Sequence, residues 1–195
     1  MFQIKSTNEM KKQIQMVKRI IEQIPSSEFT VGSGWGACRR RRILAHYLID
    51  EARHNYGVFL DSSQQGIILF YPSENKKPVC WKVKLMMIFI AVGPLRLKRV
   101  MQRKAQVEKM RSNYPAHLYC SFLGVLPEAR GSQAIFELRD ILFQKSKELN
   151  LPVMVETVIP KNKRIYERIG FKTYSQVEID GLITYCLIRD LDQNG

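Results

Sequence analysis

The stretch "LGVLPEARGSQAIFELRD", residues 123 to 140, decides the fold. Its first residues are typical of the end of a β-strand, Pro127 indicates a turn, and the later residues predict an amphipathic helix. A strand that passes through a tight loop into a helix N-terminus offers free backbone N–H groups to a phosphate. The loop "ARGSQA" contains a single glycine, Gly131, where a close phosphate cradle usually has several. The sequence therefore leaves three alternatives: a working phosphate loop, a decayed phosphate loop and an ordinary strand-to-helix connection.

Strands and helices alternate on both sides of this stretch. Short runs of branched and aromatic residues bounded by turn residues predict strands at residues 2–7, 56–61, 65–72, 116–126, 152–158, 171–179 and 182–190. Apolar residues at three- and four-residue spacing predict helices at residues 9–24, 37–55, 132–149 and 161–171, and twice between Lys82 and Asn113. This order predicts an α/β fold in which helices cover one mixed sheet.

The composition of the 195 residues fits one globular domain, covering residues 1–195. The four cysteines lie far apart without a CxxC or CxxH pair, and the three histidines are isolated, so the sequence predicts no metal site. Scattered cysteines are typical of reduced residues in a cytoplasmic protein. The longest apolar run, residues 85–95, is too short to span a bilayer and is broken by Gly93-Pro94. Since no signal peptide opens the sequence, we expect a cytoplasmic protein without a membrane partner.

The net charge of +13 is the unusual feature of the composition. It implies affinity for an anion, such as nucleic acid, an anionic membrane face or a phosphorylated small molecule. Much of the charge lies in two runs, residues 38–42 and 96–104, for which two solvated helix faces are the simpler interpretation. Neither run contains an aromatic residue on which a base would stack, so nucleic acid is an unlikely partner.

Two segments and a closing strand pair carry a resemblance to a known family. The segment "LGVLPEARG" ends a strand in Val-x-Pro and continues into Arg and Gly, and "VETVIPKNKRIYERIGF" combines a strand, an Asn-containing loop and a helix with an internal tyrosine. In this order they resemble the GNAT superfamily of acetyl-CoA-dependent N-acetyltransferases. The resemblance implies a mixed, mostly antiparallel twisted sheet flanked by helices, with a helical insertion at about residues 82–113 before the central strand. It also implies acetyl-CoA as co-substrate and no metal.

The resemblance further implies where the cofactor binds. A bulge or splay of the strand near Leu123, Gly124 and Val125 would expose backbone groups to pantetheine and to the thioester carbonyl. The loop and the positive end of the following helix would hold the pyrophosphate. The implied loop residues are Arg130, Gly131, Ser132, Gln133, Ala134 and Ile135. Asn162 would supply a further cofactor contact.

Two residues are implied to carry the proton transfers. Tyr166 stands where the family has a general acid that protonates the leaving thiolate, and the ordinary pKa of a phenol, about 10, is near that of a thiol. Glu156 lies on the strand that faces the cleft in the family, where it would take the amine proton through a water molecule. The alternatives are a packed helix aromatic for Tyr166, a structural ion pair for Glu156 and a surface turn residue for Arg130.

The loop departs from the family pattern at Gln133 and Ile135, where the family has small residues that allow close approach of the backbone. Val158-Ile159 likewise replaces a Ser-Asn pair ahead of Pro160.

The resemblance as a whole predicts an N-acetyltransferase for an amine of a small molecule or a protein. The alternative is a catalytically silent ligand- or protein-binding module with a degenerate acyl-CoA loop. The insertion is expected over the acceptor side of the cleft, where its basic residues would favour an anionic acceptor. Oligomeric state is left open, with a homodimer as one option.

Overall fold

The computed structural model describes residues 7–24, 27–74, 77–114 and 116–191. The strand predicted at residues 2–7 falls outside these ranges except for Thr7, where the first helix begins. The other predicted strands and helices are present, with small shifts of their ends. One additional short helix, Ser27–Val31, was not predicted because five residues are too few to establish a helical period.

Seven α-helices and six strands make up the described fold. The helices are α1 Thr7–Ile21, α2 Ser27–Val31, α3 Ala37–Asn55, α4 Trp81–Met86, α5 Pro94–Ser112, α6 Ala134–Leu149 and α7 Pro160–Arg168. The strands are β1 Gly57–Leu60, β2 Gly66–Pro72, β3 Leu118–Val125, β4 Val153–Thr157, β5 Lys172–Ile179 and β6 Leu182–Arg189. A π-helical segment, Met87–Val92, continues α4 and ends at Gly93. The two-helix insertion therefore lies between β2 and β3, as the resemblance implied.

The strands form one sheet in the order β1-β2-β3-β4-β6-β5. Among the described strands, β3 and β4 are the only parallel neighbours, and every other pair is antiparallel. The mixed, mostly antiparallel α/β sheet predicted from the sequence is thus confirmed.

Helices cover both faces of the sheet. Ile68 and Phe70 of β2 contact one apolar cluster with Leu138 of α6. The alternate residues Ile67 and Leu69 join a second cluster with α1 and α3. Because successive side chains of a strand point to opposite faces, α6 lies on one face, and α1 and α3 lie on the other.

The insertion covers part of the α1 and α3 face. Val107 of α5 packs on Val177 of β5 and Cys186 of β6, whereas the adjacent Leu187 belongs to the α6 cluster. Two polar contacts add to this packing: Arg103 Nε donates a hydrogen bond of 2.9 Å to Thr184 Oγ1, and Arg99 donates to the carbonyl of Phe29 in α2 at 3.1 Å. None of the helices in the described ranges is long and apolar enough to cross a membrane.

Candidate active site

A cleft of about 240 Å³ opens where β3 and β4 diverge. The parallel pairing joins residues 118–120 to residues 153–155 and goes no further, although β3 continues to Val125 and β4 to Thr157. Beyond Cys120 and Val155 the facing edges of the two strands are unpaired. Backbone groups at such an opening are free to bind a ligand that lies between the strands.

A β-bulge lies at the apex of the cleft. In the β2–β3 ladder Leu69 pairs with Phe122 and Phe70 pairs with Cys120, so Ser121 is the extra residue on β3. Its hydroxyl donates to the carbonyl of Leu69 at 3.3 Å. A bulge increases the local bend of a strand, and this one lies directly after Cys120, where the pairing of β3 with β4 ends. It lies two residues before the position expected from the sequence.

Glu156 lines the cleft from β4. Its Oε1 is buried, lies 3.4 Å from Nη1 of Arg111 in α5, and accepts no hydrogen bond of ordinary geometry from the described residues. Burial raises the pKa of this carboxyl, and the charges of Arg111 and Arg103 oppose the rise. The arrangement combines both sequence-based interpretations, since the carboxylate has an ion-pair partner and also faces the cleft. A carboxylate with a raised pKa is a better proton acceptor than an ordinary one.

Tyr166 lines the same cleft from α7. Its ring packs on Phe171 with the ring centroids 5.5 Å apart, and it adjoins the cluster that includes Cys120. Burial raises the pKa of the phenol above its ordinary value, so that the hydroxyl keeps its proton near neutral pH. Asn162, one turn earlier in α7, also lines the cleft. Pro160 favours the start of α7 at this point, and the four-residue spacing of Asn162 and Tyr166 places both on one face of the helix.

In the loop between β3 and α6, backbone N–H groups that donate a hydrogen bond within the protein alternate with N–H groups that do not, which we call open. The N–H of Arg130 donates to Pro127 at 3.3 Å, that of Ser132 to Ala129 at 3.1 Å, and that of Ala134 to the Ser132 hydroxyl at 3.3 Å. Within the described ranges, the N–H groups of the remaining three loop residues have no protein acceptor: Gly131, Gln133 and Ile135. The open groups lie at the N-terminus of a 16-residue helix, where the helix dipole also favours an anion.

Side chains of α1 hold this loop in place. Arg130 donates a hydrogen bond to Gln23 just after α1, and Arg19 forms an ion pair of 3.0 Å with Glu128. Gly131 has φ +83°, a left-handed conformation that other residues rarely adopt, and a methyl group added there would meet no atom within 4 Å. The single glycine of the loop therefore serves the turn and leaves open space above it.

The structure brings Tyr166, Glu156, Leu123 and Asn162 to one cleft. Gly124 and Val125 do not line it; they pair with Ile67 and Gly66 of β2. A methyl group added to Gly124 would lie 2.6 Å from Cγ2 of Ile20, so close packing of α1 on β3 explains this glycine. The loop residues 130–135 lie outside the cleft lining, at the start of α6.

Sequence reasoning missed several cleft residues. Arg103 reaches the cleft from α5, and Ser27 and Thr30 reach it from α2. Their contribution depends on packing between elements far apart in the chain, and no local motif indicates it. Among the described residues, no group of three His, Cys, Asp or Glu side chains is placed to hold a metal ion.

No protein-family model matches the chain, and no curated protein matches it in sequence. Solved structures do match. An acetyltransferase of Corynebacterium glutamicum, described as histone acetyltransferase HPA2 and related acetyltransferase, has a TM-score of 0.68 and 14% identity over 97% of this chain and 94% of its own. A polyamine N-acetyltransferase of Drosophila melanogaster that forms N-acetylagmatine has a TM-score of 0.64 and 15% identity over 94% and 96%. A GNAT-family protein of Desulfovibrio desulfuricans has a TM-score of 0.53 and 13% identity over 92% and 93%.

These structures share the overall fold of this chain over more than nine-tenths of its length. The chain therefore has the fold of the GNAT acetyltransferases.

Proposed function

We propose that the protein is an N-acetyltransferase that moves an acetyl group from acetyl-CoA directly to an amine of a small molecule or a protein. The observation that carries the proposal is the cleft between β3 and β4, because it holds both a carboxylate and a phenol on this fold. The neighbouring structures named above include a polyamine acetyltransferase, which favours an amine acceptor. The whole chain acts as one domain, and the scattered cysteines favour a cytoplasmic location.

The residues of the β3–α6 segment fit acyl-CoA. The open N–H groups of Gly131, Gln133 and Ile135 would hold the pyrophosphate, with Arg130 adding a positive charge beside them. The unpaired edge of β3 near Leu123 would accept the pantetheine arm. Bound acetyl-CoA would supply the thioester carbonyl carbon that the amine attacks.

Glu156 and Tyr166 would carry the two proton transfers. The carboxylate of Glu156 takes the proton that the attacking amine loses, directly or through a water molecule. As the carbon–sulfur bond breaks, the hydroxyl of Tyr166 donates its proton to the sulfur. The guanidinium of Arg111, 3.4 Å from Oε1, opposes the rise in pKa that burial gives Glu156 and so favours the ionised carboxylate.

A catalytically silent binding module is the second candidate. Three of the loop N–H groups, those of Arg130, Ser132 and Ala134, are already bonded within the protein. Gln133 and Ile135 also carry side chains where the family has small residues. Fewer open groups and more side-chain bulk would weaken the hold on the pyrophosphate, and slow or absent turnover would follow.

Calorimetry with acetyl-CoA and with CoA, followed by thiol release over a panel of amines, tests the proposal. An N-acetyltransferase binds acetyl-CoA and releases thiol in the presence of at least one amine. Binding of acetyl-CoA without thiol release over a panel of small amines and peptide amines favours the silent module. No binding of either nucleotide at millimolar concentration contradicts the N-acetyltransferase and leaves a module that binds another ligand or a protein.

A further inference from the structure

The helix before Gly93 presents an apolar face to solvent. Trp81, Leu85 and Phe89 follow one another at four-residue spacing, with Met86 and Ile90 beside them at the same spacing. Trp81 is 65% exposed, Phe89 is 68% exposed, and each of the other three is more than one-third exposed. This exposure is not an effect of poor packing, because the opposite side of the same helix buries Val83 and seats Ala91 against Ile43 of α3.

Two further apolar side chains project beside this helix. Trp35 is 99% exposed and Leu95 is 92% exposed. Gly32, near Trp35, and Gly93, near Leu95, both lie against the side chain of Arg96. Methyl groups added to these glycines would lie 2.8 Å and 3.6 Å from the guanidinium nitrogens of Arg96. We call the combined surface the apolar face, made up of Trp35, Trp81, Leu85, Met86, Phe89, Ile90 and Leu95.

Hydrogen bonds from one side chain, that of Arg40, fix the backbone of the loop that carries Trp35. The guanidinium of Arg40 donates hydrogen bonds to the carbonyls of Val31, Ser33 and Trp35, the last two at 2.8 and 2.9 Å. The backbone is therefore fixed by an arginine that occupies the inner side of the loop, and the indole is the group left pointing outward. A held loop that exposes a tryptophan is more typical of a contact surface than of a random surface position.

The segments that carry six of the seven residues of the apolar face are strongly basic. Residues 75–107 contain nine Lys and Arg residues and no Asp or Glu. Lys82, Lys84 and Lys98 are exposed on the segments that carry the apolar side chains. Tryptophan, phenylalanine and leucine surrounded by lysines and arginines are the composition of a helix that lies in the interface of an anionic membrane.

We propose that the apolar face docks on an anionic lipid bilayer, with its tryptophans in the headgroup region and the surrounding lysines against lipid phosphates. A second copy of the chain fits less well, since two such faces would bring like charges together in a protein of net charge +13. The proposal differs from the expectation of no membrane partner, which rested on the lack of a spanning segment and of a signal peptide. It is independent of the proposed acetyl transfer.

Both tryptophans of the chain belong to the apolar face, so intrinsic fluorescence reports docking directly. We expect the protein to float with vesicles of phosphatidylcholine and phosphatidylglycerol, with a blue shift of its emission, and to bind vesicles of pure phosphatidylcholine much more weakly. Raised salt weakens the binding. The double variant Phe89→Ser/Leu95→Ser should bind at least about tenfold more weakly, since two apolar anchors are removed. Lys84→Glu/Lys98→Glu should weaken binding by a similar factor.

Ile165→Ser is the matched control, because Ile165 is 47% exposed on α7, away from the apolar face. It should bind vesicles as the unaltered protein does, and thermal unfolding of every variant checks that it is folded. Three outcomes contradict the proposal: no flotation with anionic vesicles, flotation that the apolar double variant retains in full, or the same blue shift with inorganic phosphate or a soluble acidic polypeptide. Light scattering that shows a dimer dissociated by Phe89→Ser, without vesicle binding, assigns the face to a second copy instead.

Discussion

Tyr166 combines a packing role and a chemical role that one substitution separates. Its ring contacts Phe171, and its hydroxyl belongs to a half-buried phenol with a raised pKa at the cleft. Tyr166→Phe keeps the ring and removes the proton that the mechanism needs. We expect thiol release to fall by about a hundredfold or more, as for loss of a general acid. Acetyl-CoA binding, measured by calorimetry, should stay near its original value.

Unchanged thiol release in Tyr166→Phe, over the amines that support it in the unaltered protein, would exclude the tyrosine as the acid. Tyr185→Phe is a suitable control, because Tyr185 also belongs to the apolar cluster with Tyr166 but does not line the cleft. It should leave thiol release unaltered.

Glu156 predicts a pH dependence whose direction depends on Arg111. The general base must be ionised, so thiol release should fall as the pH drops through the raised pKa of Glu156. Arg111→Met removes the cation 3.4 Å from Oε1, and the pKa of Glu156 then rises further. We expect the acid limb of the pH profile to move to higher pH in Arg111→Met and to be lost, with most activity, in Glu156→Gln.

The pH dependence of the free energy of unfolding also reports the raised pKa of Glu156, and it can be measured without catalytic turnover. Because folding raises the pKa of Glu156, the folded state holds the proton more tightly than the unfolded state. The stabilisation is complete at pH values below the ordinary pKa of a glutamate, which the unfolded chain has. It is lost as the pH rises through the raised pKa of the folded state. Chemical unfolding at several pH values should show that slope, and Glu156→Gln should remove it. An unaltered slope in Glu156→Gln would mean that other groups produce it.

The sequence predicted the elements around the cleft better than the contacts between them. The β3–α6 segment and the helix of Tyr166 were predictable because their turn residues and apolar spacing are local signals. Arg103 was not, since it contacts Thr184 across 81 positions of the chain. The run from Leu85 to Leu95 is the longest apolar run of the sequence, yet its outer half is exposed. Composition alone does not say which side of an apolar helix finds a partner.

The packing of α1 on β3 depends on Gly124, which a pair of glycine variants tests. In Gly124→Ala the new methyl group would lie 2.6 Å from Ile20 Cγ2, and we expect a loss of roughly 1–3 kcal/mol from overpacking. Gly131→Ala meets no atom within 4 Å but keeps φ at +83°, which costs about 1 kcal/mol in a left-handed conformation. Urea unfolding measures both losses.

Adding Ile20→Ala distinguishes the two causes. It removes the methyl group that Gly124→Ala would strike, so the double variant Ile20→Ala/Gly124→Ala should be less destabilised than the sum of its single changes. The combination of Ile20→Ala with Gly131→Ala should be additive, because strain at Gly131 has no link with Ile20. Additive losses in both pairs would contradict the close contact between α1 and β3.

The whole fold buries two cysteines under different layers. Cys38 and Cys80 are exposed, whereas Cys120 lies beneath the cleft with the α6 cluster and Cys186 lies beneath Val107 of α5. Burial raises the pKa of Cys120 to about 12 and that of Cys186 to about 11. Since the thiolate is the reactive form, a thiol reagent at neutral pH should modify two cysteines rapidly and two slowly.

This pattern tests whether the insertion opens as a unit from the rest of the molecule. Val107→Ala removes part of the apolar contact that holds α5 on β5 and β6, at a cost of about 2 kcal/mol. If α5 lifts without global unfolding, alkylation of Cys186 should accelerate by roughly thirtyfold while that of Cys120 stays slow. Leu142→Ala, in the α6 cluster, is the matched change on the other face of the sheet. It should accelerate alkylation of Cys120 more than that of Cys186. Mass spectrometry of the alkylated peptides separates the two sites, and equal acceleration of both by Val107→Ala would mean that the insertion and the sheet unfold together.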